Sequence, residues 1–319
     1  MSVLDTTVLL AKAEATYGAW ANPVGTADAM LVFNHEVTPM ESEEVRRQVE
    51  RGFPGVNPSL YTAIRQRHSF STELAGSGTG NVPAFWATLL RGCLVAAPQV
   101  LTGPARVAYP LDSSQGGSLS IAAFKGANAR HRSRGARGTA TFVFEERSYP
   151  RIDWEFTGVI EGSSPMDAGT PGTVTLPTVP VPQEVSLLNT VIQLGGFTLG
   201  VRRLSISLGN KVEYFSTTGT RAVVFGKDET GDRRAVTGEA VFELPDPAAR
   251  NFFADILPRT ELSFSLVHGL TAGNIVEISS ARAVLGRATY SVEQNRLFMN
   301  APIDFVPSAA GNELTIVTR

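Results

Sequence analysis

The side chains that most often carry out catalysis or bind metals are few and scattered in this sequence. The single cysteine, Cys93, excludes a disulfide framework and a cysteine-rich metal site. It falls on the apolar face of a predicted helix, which favours a small core residue. No two of the four histidines have the spacing of a metal-ligand pair. The histidines are His35, His68, His131 and His268. No pair of carboxylates stands out as an acid–base couple, so we predict no enzyme, no metal site and no cofactor.

One glycine cluster, GSGTG at 76–80, lies between a predicted strand and a predicted helix, where a phosphate-binding loop could lie. It lacks the Gly-Lys-Ser/Thr ending of a nucleotide-binding loop and the full dinucleotide spacing. The second half of the chain has Pro-Asp-Pro in the corresponding place. A plain turn is therefore favoured over a nucleotide site.

The basic segment KGANARHRSRGARG (125–138) is the strongest charged feature of the chain. Its arginines could hold phosphates. They are Arg130, Arg132, Arg134 and Arg137. No aromatic residues alternate with them, as single-strand binding usually requires. The net charge of −2 also argues against a general nucleic-acid binder. A solvated hairpin tip and a contact between copies of the chain are about equally supported, and nucleic acid is the weaker third alternative.

An acidic segment, MESEEVRRQVERG (40–52), could meet these arginines across neighbouring copies of the chain. It begins a long connection between two predicted strands, at 41–67, which has few apolar residues. Connections of that length are usually functional or disordered. The tip offers an exposed apolar pair for docking onto a partner, and plain disorder is the alternative. The self-assembly candidates in this connection are Glu41, Glu43, Glu44, Phe53 and Pro54.

The bulk composition suits two domains with protein-facing surfaces. The chain has 319 residues, and domains usually hold about 100–200. Charged residues make up 18%, below the roughly 25% of a typical soluble domain. We infer that part of the surface meets protein rather than water. No apolar run approaches the roughly 20 residues needed to cross a bilayer. The N-terminus lacks the basic region and cleavage site of a signal peptide, so we expect synthesis in the cytoplasm.

Short alternating apolar runs bounded by glycine and proline predict a mainly β fold. The runs are 29–33, 118–124, 139–144, 151–156, 202–208, 261–267 and 287–292. Two interior stretches, 83–93 and 247–257, are predicted to be helical, because each follows a proline-containing turn that suits the first helical turn. The stretch 8–15 is predicted to be a short helix or an arm.

A proline-rich segment and an internal repeat divide the chain in two. The segment at 161–184 contains five prolines, which predicts an extended, fairly stiff linker. Segments on either side of it match in order and spacing, apart from an extra loop at roughly 94–117, and this predicts a tandem duplication. The matched pairs are 73–74 with 243–244, 85–90 with 252–257, 119–126 with 262–269, 136–137 with 281–282, and 151–152 with 296–297. We predict a first domain at 1–160, a linker at 161–184 and a second domain at 185–319.

Several segments of the first half carry a family resemblance, first of all LLAKAEATYGAWANPVGTADAMLVFNHEVTPME (9–41) and FSTELAGSGTGNVPAFWATLLRGCL (70–94). The first resembles the N-terminal arm and first tube strand of the major tail tube proteins of siphophages, and the second resembles the strand, turn and helix that follow in that family. The segment 135–162 resembles its last hairpin, with Gly-Ala-Arg-Gly at the start and Phe-Thr-Gly near the end. The linker stretch 173–182 is also similar. The resemblance covers nearly all of 9–182, and the second half is connected to the family through the internal repeat.

This resemblance implies a β-sandwich or partial barrel with one flanking helix per domain, present here as two tandem repeats. Most members carry one such domain and form six-subunit rings. These rings stack into a hollow tube around the tape measure protein, between tail terminator and distal tail or baseplate proteins, and DNA later passes through without specific binding. With two copies per chain, we expect three chains per ring with pseudo-six-fold symmetry. The protein would lie in the virion tail, assembled in the host cytoplasm without a membrane.

The main alternative is a two-domain β-sandwich that binds a receptor or a carbohydrate, for example in a baseplate. Such a site would need clustered exposed aromatic residues with Asp or Asn nearby. The three tryptophans, Trp20, Trp86 and Trp154, are instead scattered along the chain. An enzyme is the least supported class.

Overall fold

A computed structural model of the chain describes residues 7–50, 52–114, 116–126, 128–227 and 231–319. The start of the predicted N-terminal arm, residues 1–6, lies outside the described residues. Strands dominate the described ranges, and the helices in them are only four residues long. The mainly β class predicted from the alternating runs is therefore confirmed.

The elements are numbered in chain order. Up to the end of the linker, the strands are β1 (Thr7–Ala13), β2 (Ala29–Met30), β3 (Phe33–Arg46), β4 (Ser59–Glu73), β5 (Gln99–Thr102), β6 (Ala105–Ala108), β7 (Leu119–Lys125), β8 (Ala129–Glu145), β9 (Arg151–Ile160) and β10 (Asp167–Ala168). After the linker, they are β11 (Thr190–Leu194), β12 (Phe197–Thr198), β13 (Val201–Ser207), β14 (Val212–Ser216), β15 (Arg221–Phe225), β16 (Thr237–Glu243), β17 (Glu261–His268), β18 (Val276–Leu285), β19 (Thr289–Glu293), β20 (Arg296–Phe305) and β21 (Thr315–Thr318). The helices are α1 (Ala87–Leu90) and α2 (Phe253–Ile256).

Seven strands of the first half lie side by side in the order β3, β4, β9, β8, β7, β1, β2, and all neighbours are antiparallel. β8 is the longest strand, with 17 residues. Its first part pairs with β7 on one side and, at its start, with β10 on the other.

Seven strands of the second half lie side by side in the order β13, β16, β20, β18, β17, β11, β12, again all antiparallel. β21 pairs with the start of β18, as β10 does with the start of β8. β19 follows β18 after a short break and pairs with β20. The two halves therefore have the same strand order and directions. β3 corresponds to β13, β4 to β16, β9 to β20, and β8 to β18 followed by β19.

The registers of the two halves also match. Leu119 lies opposite Ala136 and Leu262 lies opposite Ala283, and a β-bulge follows each pair at the same point. The sequence alignment above matched Ala136 with Ala281, which is wrong by two residues. A shift of two residues keeps every side chain on the same face of a strand, so an alternating pattern cannot detect it.

The same correction applies on the neighbouring strand. Arg151 lies opposite Glu73, and its counterpart opposite Glu243 is Phe298 rather than the predicted Arg296. Arg151-Ile152 and Arg296-Leu297 share a local pattern of arginine followed by an aliphatic residue. Which residues of β9 and β20 correspond is decided by their registers on β4 and β16.

Each half has one helix at the place predicted, although each helix is shorter than expected. Around α1 the backbone makes mostly tight turns, such as the bond from Arg91 N to Thr88 O at 3.2 Å. Trp86 and Phe252 directly precede the helices and are 0% and 2% exposed. The aromatic match predicted from sequence is thus offset by one residue.

Two segments predicted to be irregular or helical are strands. The stretch 8–15, predicted to be a helix or an arm, mostly forms β1, because Leu9 and Leu10 are buried by pairing with β7 and β2. The connection at 41–67 is mostly a continuation of the β3–β4 hairpin, and of its described residues 47–50 and 52–58 lie outside the strands. Pairing with a distant strand overrides local composition in both cases.

The linker packs along both halves. Its Pro165 carbonyl accepts a hydrogen bond from Gln66 Nε2 at 2.5 Å, and its Val181 carbonyl accepts one from Asn274 Nδ2 at 3.2 Å. Most buried apolar side chains of both halves form one contiguous cluster, and a smaller cluster lies around Leu10 and Phe124. The larger cluster supports the strands that carry the surfaces described next.

Candidate self-assembly surfaces

A strand pair joins the two halves side by side. The last part of β8 pairs with β13, from Thr141 opposite Ser207 to Glu145 opposite Arg203. Four apolar side chains along this pair are at most 1% exposed, and Val143 is 4% exposed, so the junction is well packed. The four are Phe142, Phe144, Leu204 and Ile206.

A hairpin of the second half, β14–β15, folds over the sheet of the first half. The Tyr17 hydroxyl donates to Val223 O at 3.0 Å and accepts from Val223 N at 2.5 Å. The Arg137 guanidinium donates to Val223 O at 3.1 Å and lies 4.4 Å from the Tyr17 ring centroid and 5.1 Å from that of Phe225. Burial raises the pKa of Tyr17, so its hydroxyl keeps its proton at neutral pH. Arg137, predicted to be a self-assembly residue, therefore contacts the other half of its own chain.

The extra loop of the first half reaches the last strand of the second half. It contains the β5–β6 hairpin, and β6 pairs with β21, with Val107 opposite Thr318. A buried ion pair joins Arg234 to Glu313 at 2.5 Å. Arg234 Nη1 also donates to Leu94 O at 3.1 Å, which ties the second half to the first a third time.

The other three predicted arginines have carboxylate partners in their own chain. Arg130 donates two hydrogen bonds of 2.9 Å to Asp167, and Arg132 contacts the same carboxylate at 2.6 Å. Arg134 Nε lies 3.1 Å from Glu161 Oε2. The hydrogen bond from Arg130 lowers the pKa of Asp167, which keeps that carboxylate charged. These arginines lie along the paired strand β8 and bind acids of the linker, so they are not at a hairpin tip.

The predicted glutamates lie on the projecting part of the β3–β4 hairpin. Glu41 faces Arg65 across the hairpin at 2.6 Å, and Glu44 contacts Arg46 at 3.3 Å. Glu43 is exposed. Among the described residues, no ion pair joins these glutamates to the arginines of β8. A contact between the two groups in neighbouring copies stays a prediction.

We call residues 39–65 the arm, because β9 pairs with β4 only from Gln66 onward. The tip of the arm is exposed, with Phe53 at 67% and Val56 at 90%, and Pro54 is also exposed. In the second half, residues 208–236 connect β13 to β16, which are the counterparts of β3 and β4. This connection therefore corresponds to the arm, and it contains the β14–β15 hairpin. One insertion therefore packs on its own chain, and the tip of the other is uncovered.

The strands with an open edge include β3 and β19. In the part of the chain that the structure describes, β3 pairs only with β4 and β19 pairs only with β20. Phe33 on β3 is 38% exposed, and Tyr290 and Val292 on β19 are 56% and 69% exposed. Open edges with apolar side chains readily pair with another strand.

Sequence reasoning missed these two edges and the role of Tyr17. A signal for β19 was present, because GTATFVFE (138–145) and GRATYSVE (286–293) share Gly, Ala, Thr, an aromatic residue and Glu at the same spacing. Aligning them identifies β19 as the counterpart of the strand that forms the in-chain junction.

Two histidines that are distant in sequence lie together. The His35 and His68 rings are nearly parallel, with centroids 6.2 Å apart, and His68 Nε2 shares a hydrogen bond with Ser133 Oγ at 3.0 Å. Burial lowers the pKa of His35 to about 4 and that of His68 to about 3, so both are neutral at pH 7. Within the described ranges, no group of three His, Cys, Asp or Glu side chains is arranged to hold a metal ion.

The tryptophans do not form an exposed platform. Trp86 and Trp154 are 0% and 2% exposed, and Trp20 lies under the Arg132 guanidinium at 5.8 Å. This arrangement does not suit the carbohydrate-binding alternative. In the described ranges, neither helix has the length and apolar character needed to cross a membrane.

A comparison with curated proteins found no match. The model of one protein family, described as phage tail tube protein, matches residues 5–307. The match includes most of both halves, the linker and both strands of the in-chain junction. The chain therefore belongs to the phage tail tube protein family.

Proposed function

We propose that this chain is the major subunit of a phage tail tube and that three copies close each ring. Membership of the family makes it a structural tail protein that assembles into a tube. The number of chains per ring and the contacts between them are the parts that we add.

The observation that carries the proposal is the equal strand order of the two halves. It supports a tandem duplication with domains at 1–160 and 185–319 joined by the linker at 161–184. If both domains occupy equivalent places, three chains supply six places in a ring. The ring then has pseudo-six-fold symmetry, like a ring of six single-domain subunits.

The in-chain junction supports a way for the ring to close. In it, the end of β8 pairs with β13. The strands that correspond to the end of β8 and to β13 are β19 and β3, and each of them has an unpaired edge. A head-to-tail contact between chains that repeats the junction would use these two edges, and such contacts give a closed ring when their rotation closes.

The arm is proposed to pack on a neighbouring copy. The corresponding insertion, 208–236, packs on the other domain of its own chain, where Val223 meets Tyr17. This supports docking of Phe53 and Pro54 on the next chain, where their apolar surface leaves water. Exposed and half-buried charges on the arm and on β8 are proposed as contacts between stacked rings. They are Glu41, Glu43, Glu44, Arg130, Arg132 and Arg134.

The stacked rings are proposed to enclose the tape measure protein and later to pass DNA, between tail terminator and distal tail or baseplate proteins. A conduit must not hold DNA tightly, because many phosphate contacts would retain it. The net charge of −2 and the pairing of the β8 arginines with Asp167 and Glu161 fit that requirement.

Cryo-electron microscopy of the assembled protein tests the ring. We expect tubes whose rings show six similar lobes and contain three 34.1 kDa chains. Six chains per ring, with the second domain projecting outward, would overturn the three-chain ring. A protein that stays monomeric at all concentrations would contradict self-assembly into a tube.

A further inference from the structure

The open edge of β3 corresponds residue by residue to β13 of the in-chain junction. Thr38 lies opposite Arg67 on β4, and Ser207 lies opposite Thr237 on β16. Arg67 and Thr237 occupy matching places, because the strands next to them pair in matching registers. Thr38 therefore occupies the place of Ser207. By the same register, Val37 occupies the place of Ile206.

The open edge of β19 corresponds in the same way to the end of β8. Thr141 lies opposite Asp153 on β9, and Thr289 lies opposite Asn300 on β20. The segments GTATF (138–142) and GRATY (286–290) match at this register. Thr289 therefore occupies the place of Thr141.

Burial differs sharply between these corresponding strands. Phe142 and Phe144 of β8 are 0% and 1% exposed in the packed junction. Their counterparts Tyr290 and Val292 are 56% and 69% exposed. Large apolar side chains are thus present at the same places of both strands, but only β8 has a second partner strand, β13, beside it. Burying side chains of this size against a partner strand is favourable, because it removes a large apolar area from water.

We infer that β19 of one copy pairs antiparallel with β3 of a second copy, in the register of the in-chain junction. Thr289 then lies opposite Thr38, and Tyr290 lies opposite Val37. The occupant is a second copy of this chain, because the open edges of β3 and β19 are the counterparts of a strand pair that the chain already contains. This inference rests on the proposed ring and adds the strands and the register that form its seam.

Disulfide cross-linking of two single-cysteine-substituted variants tests the seam. A Thr38→Cys chain is mixed with a Thr289→Cys chain before assembly, and the products are oxidised and separated on denaturing gels. Paired antiparallel residues have Cα atoms about 4.5–5.5 Å apart, which a disulfide spans. Native Cys93 gives little background, because it is fully buried and burial raises its pKa well above the ordinary value.

We expect a covalent dimer from the mixture and little from either variant alone, since the seam joins unlike edges. A Val37→Cys partner for Thr289→Cys should give at least tenfold less dimer, because neighbouring residues on a strand face opposite sides. The matched control is Thr141→Cys with Ser207→Cys in one chain, which should close within the chain. Tyr290→Lys with Val292→Lys should leave a folded chain that does not assemble, whereas Val100→Lys on β5 should assemble normally.

Tubes that form without the Thr38–Thr289 cross-link, while the in-chain control does cross-link, would overturn the seam and leave the proposed function standing. Normal assembly of the Tyr290→Lys, Val292→Lys chain would also overturn it. Failure of the unsubstituted protein to assemble at all would instead contradict the proposed function.

Discussion

At the scale of single residues, His68 couples the stability of the fold to pH. It is fully buried on β4, stacks with His35 and shares a hydrogen bond with Ser133. Burial, and then the neighbouring His35 and His131, lower its pKa to about 3. A proton added to His68 would be a buried charge beside two other imidazoles. The folded state therefore excludes a proton that the unfolded chain binds.

Acidification should destabilise the protein through this residue. Between pH 6.5 and 5, His68 of the unfolded chain becomes charged while His68 of the folded chain stays neutral. As the pH is lowered over this range, the free energy of unfolding should decrease by on the order of 2 kcal/mol because of this histidine alone. The loss should continue toward pH 3, where the folded chain also binds the proton. Urea unfolding at pH 7.5, 6 and 5 measures it, and His68→Gln should show a smaller loss than the unsubstituted chain. Equal losses in both proteins would refute this role.

At the scale of elements, two insertions at corresponding places have different surroundings. The β14–β15 hairpin is held by Tyr17 and Arg137 of the first half, whereas the tip of the arm is exposed. The difference is whether a sheet of the same chain lies within reach. The second insertion therefore stabilises the single chain, and the first is available for contacts between chains.

The substitution Tyr17→Phe should loosen the β14–β15 hairpin. It removes the acceptor for the backbone N–H of Val223, a fully buried residue. A buried donor left without a partner costs about 1–3 kcal/mol, and this loss should appear in the free energy of unfolding measured with urea. Tyr149, which is 55% exposed, offers the matched control, since Tyr149→Phe should change stability little. Similar effects of the two substitutions would argue against the contact.

At the scale of the whole molecule, charge is balanced within the chain. The net charge is −2, and three of the four arginines on β8 are paired with acids at the start of the linker. Pairing of these three arginines makes them less available to release counterions from a DNA backbone. Such a surface suits the proposed tube, through which DNA would pass.

Assembled tubes should therefore not bind duplex DNA at a salt concentration of about 150 mM, where exposed charges are well screened. Fluorescence anisotropy of a labelled duplex measures this directly. Asp167→Asn should increase binding at low salt, because it removes the carboxylate shared by Arg130 and Arg132. Tight binding by the unsubstituted tubes at the higher salt concentration would contradict this prediction.

The sequence by itself determined the strand-rich class, the places of both short helices and the self-similarity of the two halves. Alternation along LSIAAFKG (119–126) and LSFSLVHG (262–269) is a local signal, because a strand with one buried face must alternate. The absence of a catalytic constellation and the resemblance of 9–182 to tail tube proteins were likewise visible in the residues. These features pointed to the family that the comparison then showed.

Only the tertiary structure decided which strands pair, in which register, and which edges stay open. The two-residue error at Ala136 arose because face alternation repeats every two residues, whereas a register depends on hydrogen bonds to a distant strand. The sequence allowed the arginines of β8 to be interpreted as a solvated hairpin tip. The structure instead places Asp167 of the linker beside Arg130 and Arg132. The exposure of Tyr290 indicates a missing partner strand only when it is compared with the burial of Phe142, its counterpart. Phe142 is buried on a strand whose partner is present.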